Sequence, residues 1–319
     1  MSDGAVETNG GAANGATVLA EDVSKWFGDV VALTNVSATI GPGVTGLLGP
    51  NGAGKSTLFK CLTGLCAPSA GRVRVLGRDL RDEPEVFRDV GLCPDVDKFF
   101  EEMRGVDFVA SLARLHGLER AAARKAAELA LDRVGLTDVM HKRLGAMSKG
   151  MRQRVKFAQA IVHDPKVVFL DEPLNGMDPL ARHATVELIT ALGREGRSVV
   201  VSSHILHEVD SMSHRVILLV HGRVLAEGSV REIREAVRTK PHRVAVGTPD
   251  PKPLATAMLG IDGVIAVMLE SVDRVVVDTT RPTELLQWLT DGAAERRIQV
   301  DEVALVDENL EAVFQMLVG

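Results

Sequence analysis

From Val18 onward, short runs of β-branched and aliphatic residues alternate with stretches whose apolar positions recur every three or four residues. Val44–Leu48, Val167–Leu170, Ser198–Ser202 and Val216–Val220 read as strands, and helical patterns separate the last three. A strand that is apolar on both faces is one covered on both faces, so these runs predict a mostly parallel sheet flanked by helices. Between about Glu101 and His163 the pattern turns helical, as in Asp107–Leu112 and the Ala-rich Arg120–Leu131. This predicts a helical insert, about residues 95–163, within an α/β domain.

A second change follows Gly228. Ser229-Val230-Arg231-Glu232 has the spacing of a capping box, in which the serine accepts from a helix amide and the glutamate reaches back. Beyond Pro241 the pattern reads strand (Arg243–Val246), helix (Leu254–Leu259), strand (Val264–Met268), strand (Arg274–Asp278), helix (Glu284–Leu289) and strand (Ile298–Leu305), with a last helix from Glu311. That order, β-α-β-β-α-β, predicts a small α+β domain over 229–319. The first 17 residues are rich in Gly, Ala and Asn, hold no Lys or Arg, and read as a disordered tail without a secretion signal.

Composition narrows the picture further. The 319 residues are 45% hydrophobic and 25% charged, enough for two folded domains. The net charge of −6 gives no global reason to expect a nucleic-acid binder, which usually carries a basic face. Three cysteines, Cys61, Cys66 and Cys93, make neither a disulfide framework nor a metal spacing, which together with the missing signal points to the cytoplasm. No apolar run approaches the ~20 residues that span a bilayer.

The sharpest local signal is Gly49-Pro50-Asn51-Gly52-Ala53-Gly54-Lys55-Ser56-Thr57, which fits G-x-x-x-x-G-K-[ST] between a predicted strand and a predicted helix. Glycines let successive amides turn inward to phosphate oxygens, and the helix N-terminus adds partial positive charge. Lys55 is expected to bridge the β- and γ-phosphates, Ser56 to ligate Mg²⁺ and Thr57 to donate to the α-phosphate. The apolar run Val167–Leu170 ends in Asp171-Glu172. At the carboxyl end of a parallel strand Asp171 is expected to face the phosphates and hold Mg²⁺. Glu172, pointing the other way along the pleat, is expected to polarise the attacking water.

With these residues in place, the chain resembles the ATPase subunit of an ATP-binding cassette (ABC) transporter. Met147-Ser148-Lys149-Gly150-Met151-Arg152-Gln153-Arg154 resembles the family's Leu-Ser-Gly-Gly-Gln signature, Asn175-Gly176-Met177-Asp178 its D-loop, and Ser202-Ser203-His204 its switch histidine. The ordered set covers about Val18 to Gly228. The resemblance implies a P-loop NTPase fold and two cassettes that close head to tail over two Mg-ATP. Each nucleotide would lie between one Lys55 loop and the opposite Ser148 and Gly150. It also implies that His204 contacts the γ-phosphate, that Asp178 links the two sites, and that Phe27 (or Trp26) stacks on adenine, unless Phe27 is a core residue. Separate transmembrane permease subunits would receive the work at the inner face of the cell membrane, with Phe99 and Phe100 either anchoring that contact or packing internally. Glu308–Phe314 resembles the tail of exporter-type cassettes that serve drugs, lipids or polysaccharides.

Three departures from the family pattern stand out. Asp95 occupies the position of the glutamine that senses Mg²⁺ and the membrane subunit, Lys149 and Met151 replace a glycine and a glutamine of the signature, and Phe replaces the commoner Tyr at the adenine platform, the chain having no Tyr. Two rival readings are a soluble ABC ATPase working on ribosomes or chromosomes and a catalytically dead binding module. A single P-loop and the absence of sustained heptads weaken the first; the intact set Lys55, Ser56, Asp171, Glu172 and His204 weakens the second.

Overall fold

The computed structural model describes residues 16–213, 215–229, 242–295 and 298–305. The chain divides into two compact units, Met1–Ser229 and Val230–Gly319. The first begins with two long antiparallel strands, β1 (Val18–Phe27) and β2 (Val30–Ile40), followed by β3 (Gly43–Leu48), helix α1 (Lys55–Leu62), β4 (Ala70–Val75) and the short β5 (Arg78–Asp79). Then come β6 (Val90–Cys93), the helices α2 (Gly105–Leu115), α3 (Arg120–Arg133) and α4 (Lys149–Ile161), and β7 (Val167–Asp171). The unit closes with α5 (Pro179–Arg194), β8 (Ser198–Ser203), α6 (Leu206–Met212), β9 (Arg215–Val220) and β10 (Arg223–Ser229).

Two sheets result. An antiparallel one has the order β2-β1-β4-β5, and a six-stranded one the order β10-β9-β3-β8-β7-β6. In the second, β9, β3, β8, β7 and β6 run parallel and only β10 is antiparallel. The run Val167–Leu170 is apolar throughout because both its faces are buried: Val168 and Leu170 join a core with α2–α4, whereas Val167 and Phe169 join one with α1 and the antiparallel sheet. On that second side Phe59 meets Phe169 edge to face at 5.8 Å. Helices α2–α4 leave the sheet after β6 and return to β7, so the helical insert starts at Gly105 and the stretch before it is irregular. Val96, Phe99, Phe100 and Met103 in that stretch stand at helical spacing, but only Phe99 and Met103 pack on the core while Val96 and Phe100 are exposed, so they form no continuous buried face.

Register decides what this sheet can present. Leu48 lies opposite Ser203 on one side and Leu218 on the other, Asp171 lies opposite Ser202, and Cys93 lies opposite Leu170. The residues after β3, β6, β7 and β8 therefore emerge at one level, the carboxyl edge of the parallel strands.

The second unit contains β11 (His242–Gly247), α7 (Pro251–Met258), β12 (Val264–Ser271), β13 (Arg274–Thr279), α8 (Pro282–Glu295) and β14 (Glu302–Leu305). Its antiparallel sheet has the order β12-β13-β11-β14, and the helices bury Leu254, Met258, Leu285 and Leu289 against Val244, Val246, Val275 and Val277. The β-α-β-β-α-β order is that expected from the pattern, with a last strand shorter than Ile298–Leu305. Thr17, placed in the tail by its composition, donates its N–H to the Ile40 carbonyl at 2.8 Å. The rest of the expected capping-box helix after Ser229, the helix from Glu311 and the segment Glu308–Phe314 lie outside the described residues.

A nucleotide-shaped site at the carboxyl edge of the sheet

The turn between β3 and α1 is built from left-handed glycines. Gly52 and Gly54 have φ of 82° and 100°, and Gly54 caps α1. Lys55 follows with 8% of its surface exposed, and its Nζ donates to the carbonyls of Gly49 at 2.7 Å and Pro50 at 3.1 Å. Burial pulls the Lys55 amine below its ordinary value, opposed by the nearby carboxylates of Glu172 and Asp171.

A cavity of about 570 Å³ opens over this turn, within the range of small-molecule sites. Its walls include Pro50 to Thr57 from the turn, with Asp95, Glu172, Asn175 and His204 from the ends of the neighbouring strands. Val30, Val31 and Ala32 of β2 and the pair His221-Gly222 complete it; none of these five carries a motif. Gly49 itself does not line the cavity.

Asp171 and Glu172 behave differently from adjacent residues on a pleat. Asp171 ends β7, and its carboxylate accepts from the Ser202 hydroxyl at 2.5 Å. Glu172 leaves the strand with φ of 46°, an unusual backbone for a non-glycine residue, and lines the cavity. Glu172 reaches the cavity through this left-handed backbone rather than through the alternation of the pleat, whereas Asp171, expected to face the phosphates, does not line the cavity and is bonded to Ser202. Both Glu172 oxygens lie 3.0 Å from His204 Nδ1. Burial raises the Glu172 carboxyl above its ordinary value, while the bond and charge of His204 work against that rise. Burial raises Asp171 as well, against the Ser202 hydroxyl bond.

The remaining expected residues lie elsewhere. Ser148 caps α4 by accepting from the Met151 N–H at 3.2 Å, and a Cβ at Gly150 would stand 3.0 Å from the Gly176 carbonyl oxygen. Asp178 caps α5 by accepting from Ala181 N–H at 2.9 Å. Neither Ser148, Gly150 nor Asp178 lines the Lys55 cavity. Phe27 is 52% exposed, which removes its reading as a core residue, and it stands outside the cavity walls with Lys25 Nζ 4.9 Å over its ring. Phe99 packs on Phe108 at 5.3 Å, whereas Phe100 is 72% exposed. Two residues with no expected role touch Glu172: Ser202 Oγ accepts its N–H at 3.0 Å, and Gln153 Nε2 donates to its carbonyl at 3.1 Å. Both lie inside motifs, but nothing in those motifs distinguishes them from their neighbours.

The donor set is one of hard oxygens. Among the described residues no group of three or more His, Cys, Asp or Glu forms a metal cage of its own. Among the described residues, no helix is long and apolar enough to cross a membrane.

Comparison with known proteins agrees with this geometry. The ABC transporter family model matches residues 33–175. An uncharacterized ABC transporter ATP-binding protein of Nostoc sp. is 40% identical over 207 residues, covering 64% of this chain and 62% of that protein. The doxorubicin resistance ATP-binding protein DrrA of Mycobacterium tuberculosis is 32% identical over 306 residues, covering 93% of this chain and 92% of that protein. A solved ATP-binding cassette, described as a dimer in a post-hydrolysis state bound to ADP and Pi, superposes with a TM-score of 0.63 at 24% identity over 67% of this chain and 99% of its own. The glycine turn, the acidic strand end and these relatives lead to one conclusion: the chain belongs to the ABC transporter ATP-binding proteins and is an ATPase subunit.

Proposed function

We propose that the chain hydrolyses Mg-ATP between two copies of itself and thereby drives an exporter of drug-like compounds. The observation that carries this reading is the convergence of the Lys55 turn, Glu172 and His204 on a single cavity. On it, the amides of Gly52 to Lys55 cradle the phosphates, and Lys55 exchanges its carbonyl partners for phosphate oxygens. Ser56 is the residue to ligate Mg²⁺ and Asp171 to hold it through its water shell, with Asp95 also lining the cavity; when bound, the ion would neutralise charge that builds up during phosphoryl transfer.

Glu172 is the general base. Its raised carboxyl lies nearer neutrality than an ordinary glutamate, which suits a group that must take a proton from water. His204 orients that carboxylate and meets the γ-phosphate. Ser148 and Gly150, which stand apart from this cavity, serve the nucleotide of the second copy, and Asp178 connects the two sites. The exposed Phe100 and the surface from Asp95 to Glu102 are the place for a separate permease subunit. Export is supported by the relative named for doxorubicin resistance.

Turnover of the full chain with and without Glu172→Gln tests the assignment. ATP binding is expected to persist while phosphate release stops; undiminished release would remove Glu172 from its role.

A further inference from the structure

Glu172 occupies a backbone conformation that its side chain does not favour. A non-glycine residue stays at a φ of 46° only where its surroundings over-determine it. Three hydrogen bonds do so here. Its N–H donates to Ser202 Oγ at 3.0 Å, and its carbonyl accepts from Gln153 Nε2 at 3.1 Å and from the Asn175 N–H at 3.2 Å. The Ser202 hydroxyl spends its one proton on Asp171 while it accepts from Glu172.

Gln153 is the member of this set that comes from outside the site. It is 4% exposed and belongs to α4, one turn and a half beyond the Ser148 cap and the close contact of Gly150 with Gly176. A buried amide of this kind is kept only when hydrogen-bonded, and its donor is spent on the backbone of the one acidic residue that faces both the cavity and His204. We infer that Gln153 is a positioning residue that locks Glu172 in its left-handed turn and ties α4 to that carboxylate.

The consequence reaches beyond local support, and this step rests on the proposed function above. In that reading Ser148 and Gly150 of α4 sit on the partner copy's nucleotide, whereas Glu172 acts on the chain's own. A single hydrogen bond from α4 to the Glu172 carbonyl then connects the two composite sites. A shift of α4 of about an ångström either breaks that bond or turns the carboxylate, because the 3.1 Å contact has no slack. The base is therefore in place only while α4 is.

The test uses the full chain with its permease and two kinds of variant. Gln153→Met keeps length and packing but removes the donor; it is expected to lower kcat about tenfold while ATP affinity stays within about twofold and the thermal transition is kept. Added to Glu172→Gln, the same change is expected to lower the residual turnover no further, because Gln153 acts through Glu172. Unchanged kcat in the folded Gln153→Met chain overturns the inference, as does an equal further loss in the Glu172→Gln background. Should Gln153→Met fail to fold, Gln153→Asn decides. It keeps the amide but falls short of the carbonyl, so the same loss of kcat supports the lock and wild-type kcat refutes it. Wild-type turnover in Glu172→Gln itself would instead sink the proposed general base, an outcome distinct from each of these.

Discussion

Replacing Gly54 by Ala perturbs the turn at its tightest point. The backbone there has φ of 100°, and a Cβ would stand 2.8 Å from the Ala32 carbonyl oxygen and 3.0 Å from Leu33 Cδ2. A left-handed backbone costs a side-chain-bearing residue about 1–2 kcal/mol. The collision with Ala32 is with backbone, which cannot swing aside, and crowding of this type costs about 1–3 kcal/mol more. At roughly 2–4 °C per kcal/mol for a unit of this size, the first unit is expected to melt roughly 4–20 °C lower. Gly52 offers a control in the same turn: its φ is 82°, yet a Cβ there meets nothing within 4 Å. Gly52→Ala is therefore expected to lose only the conformational part, about 1–2 kcal/mol. Both variants are expected to bind ATP more weakly, because amides aimed at phosphate must turn away. Thermal melting and titration with a fluorescent ATP analogue read the two effects separately. A Gly54→Ala chain with wild-type melting and wild-type affinity would refute the reasoning, as would Gly52→Ala proving the more destabilising.

Other expectations follow from single contacts. Lys55→Ala removes a cation whose Nζ is held at the mouth of the turn by two carbonyls, so ATP affinity is expected to fall by a factor of ten or more, read by the same titration. Because burial raises the Glu172 carboxyl, its deprotonated fraction shrinks at a higher pH than for an ordinary glutamate, and kcat is expected to fall on the acid side there. His163, stacked on His116 at 3.5 Å with its Nε2 3.1 Å from the Val90 carbonyl, is lowered to about 4 by burial and by the second imidazole. The unfolded chain takes up that proton near pH 6.5 and the folded chain does not, so stability is present above 6.5 and lost as pH falls toward about 4. Urea midpoints measured at pH 7 and 5 are expected to draw closer together in His163→Gln; an unchanged gap would discharge the pair from this role.

How much of this was readable depended on whether a residue's environment leaves a mark on its neighbours. The parallel strands were legible because Val167 to Leu170 enter two cores alternately and so carry no polar position. The long antiparallel β1 and β2 were not, because register shifts between Ala20 and Val23 and between Val23 and Lys25 break the alternation that marks a half-buried strand. The second unit shows a clean change between helical and strand periods, and its order could be read element by element. At the site, the glycine turn and the acidic pair are spelled out by residue type. The cavity walls at Val30 to Ala32 and His221-Gly222 are not, since any small or apolar residue placed there by the fold serves equally. Glu172's left-handed backbone escaped for a related reason: nothing in Asp-Glu-Pro encodes a positive φ, which Ser202 and Gln153 impose from two distant elements.

The account stands on ATP being held between two copies of the chain, with Lys55 on one side and Ser148 of the partner on the other. Sedimentation velocity of Glu172→Gln, which should bind nucleotide without consuming it, tests this most directly. Saturating Mg-ATP is expected to convert a monomer into a dimer, and Ser148→Arg, which places a bulky side chain at the α4 cap, is expected to abolish the conversion while leaving ATP bound. A species that stays monomeric with the site filled, or a dimer indifferent both to nucleotide and to Ser148→Arg, would contradict it.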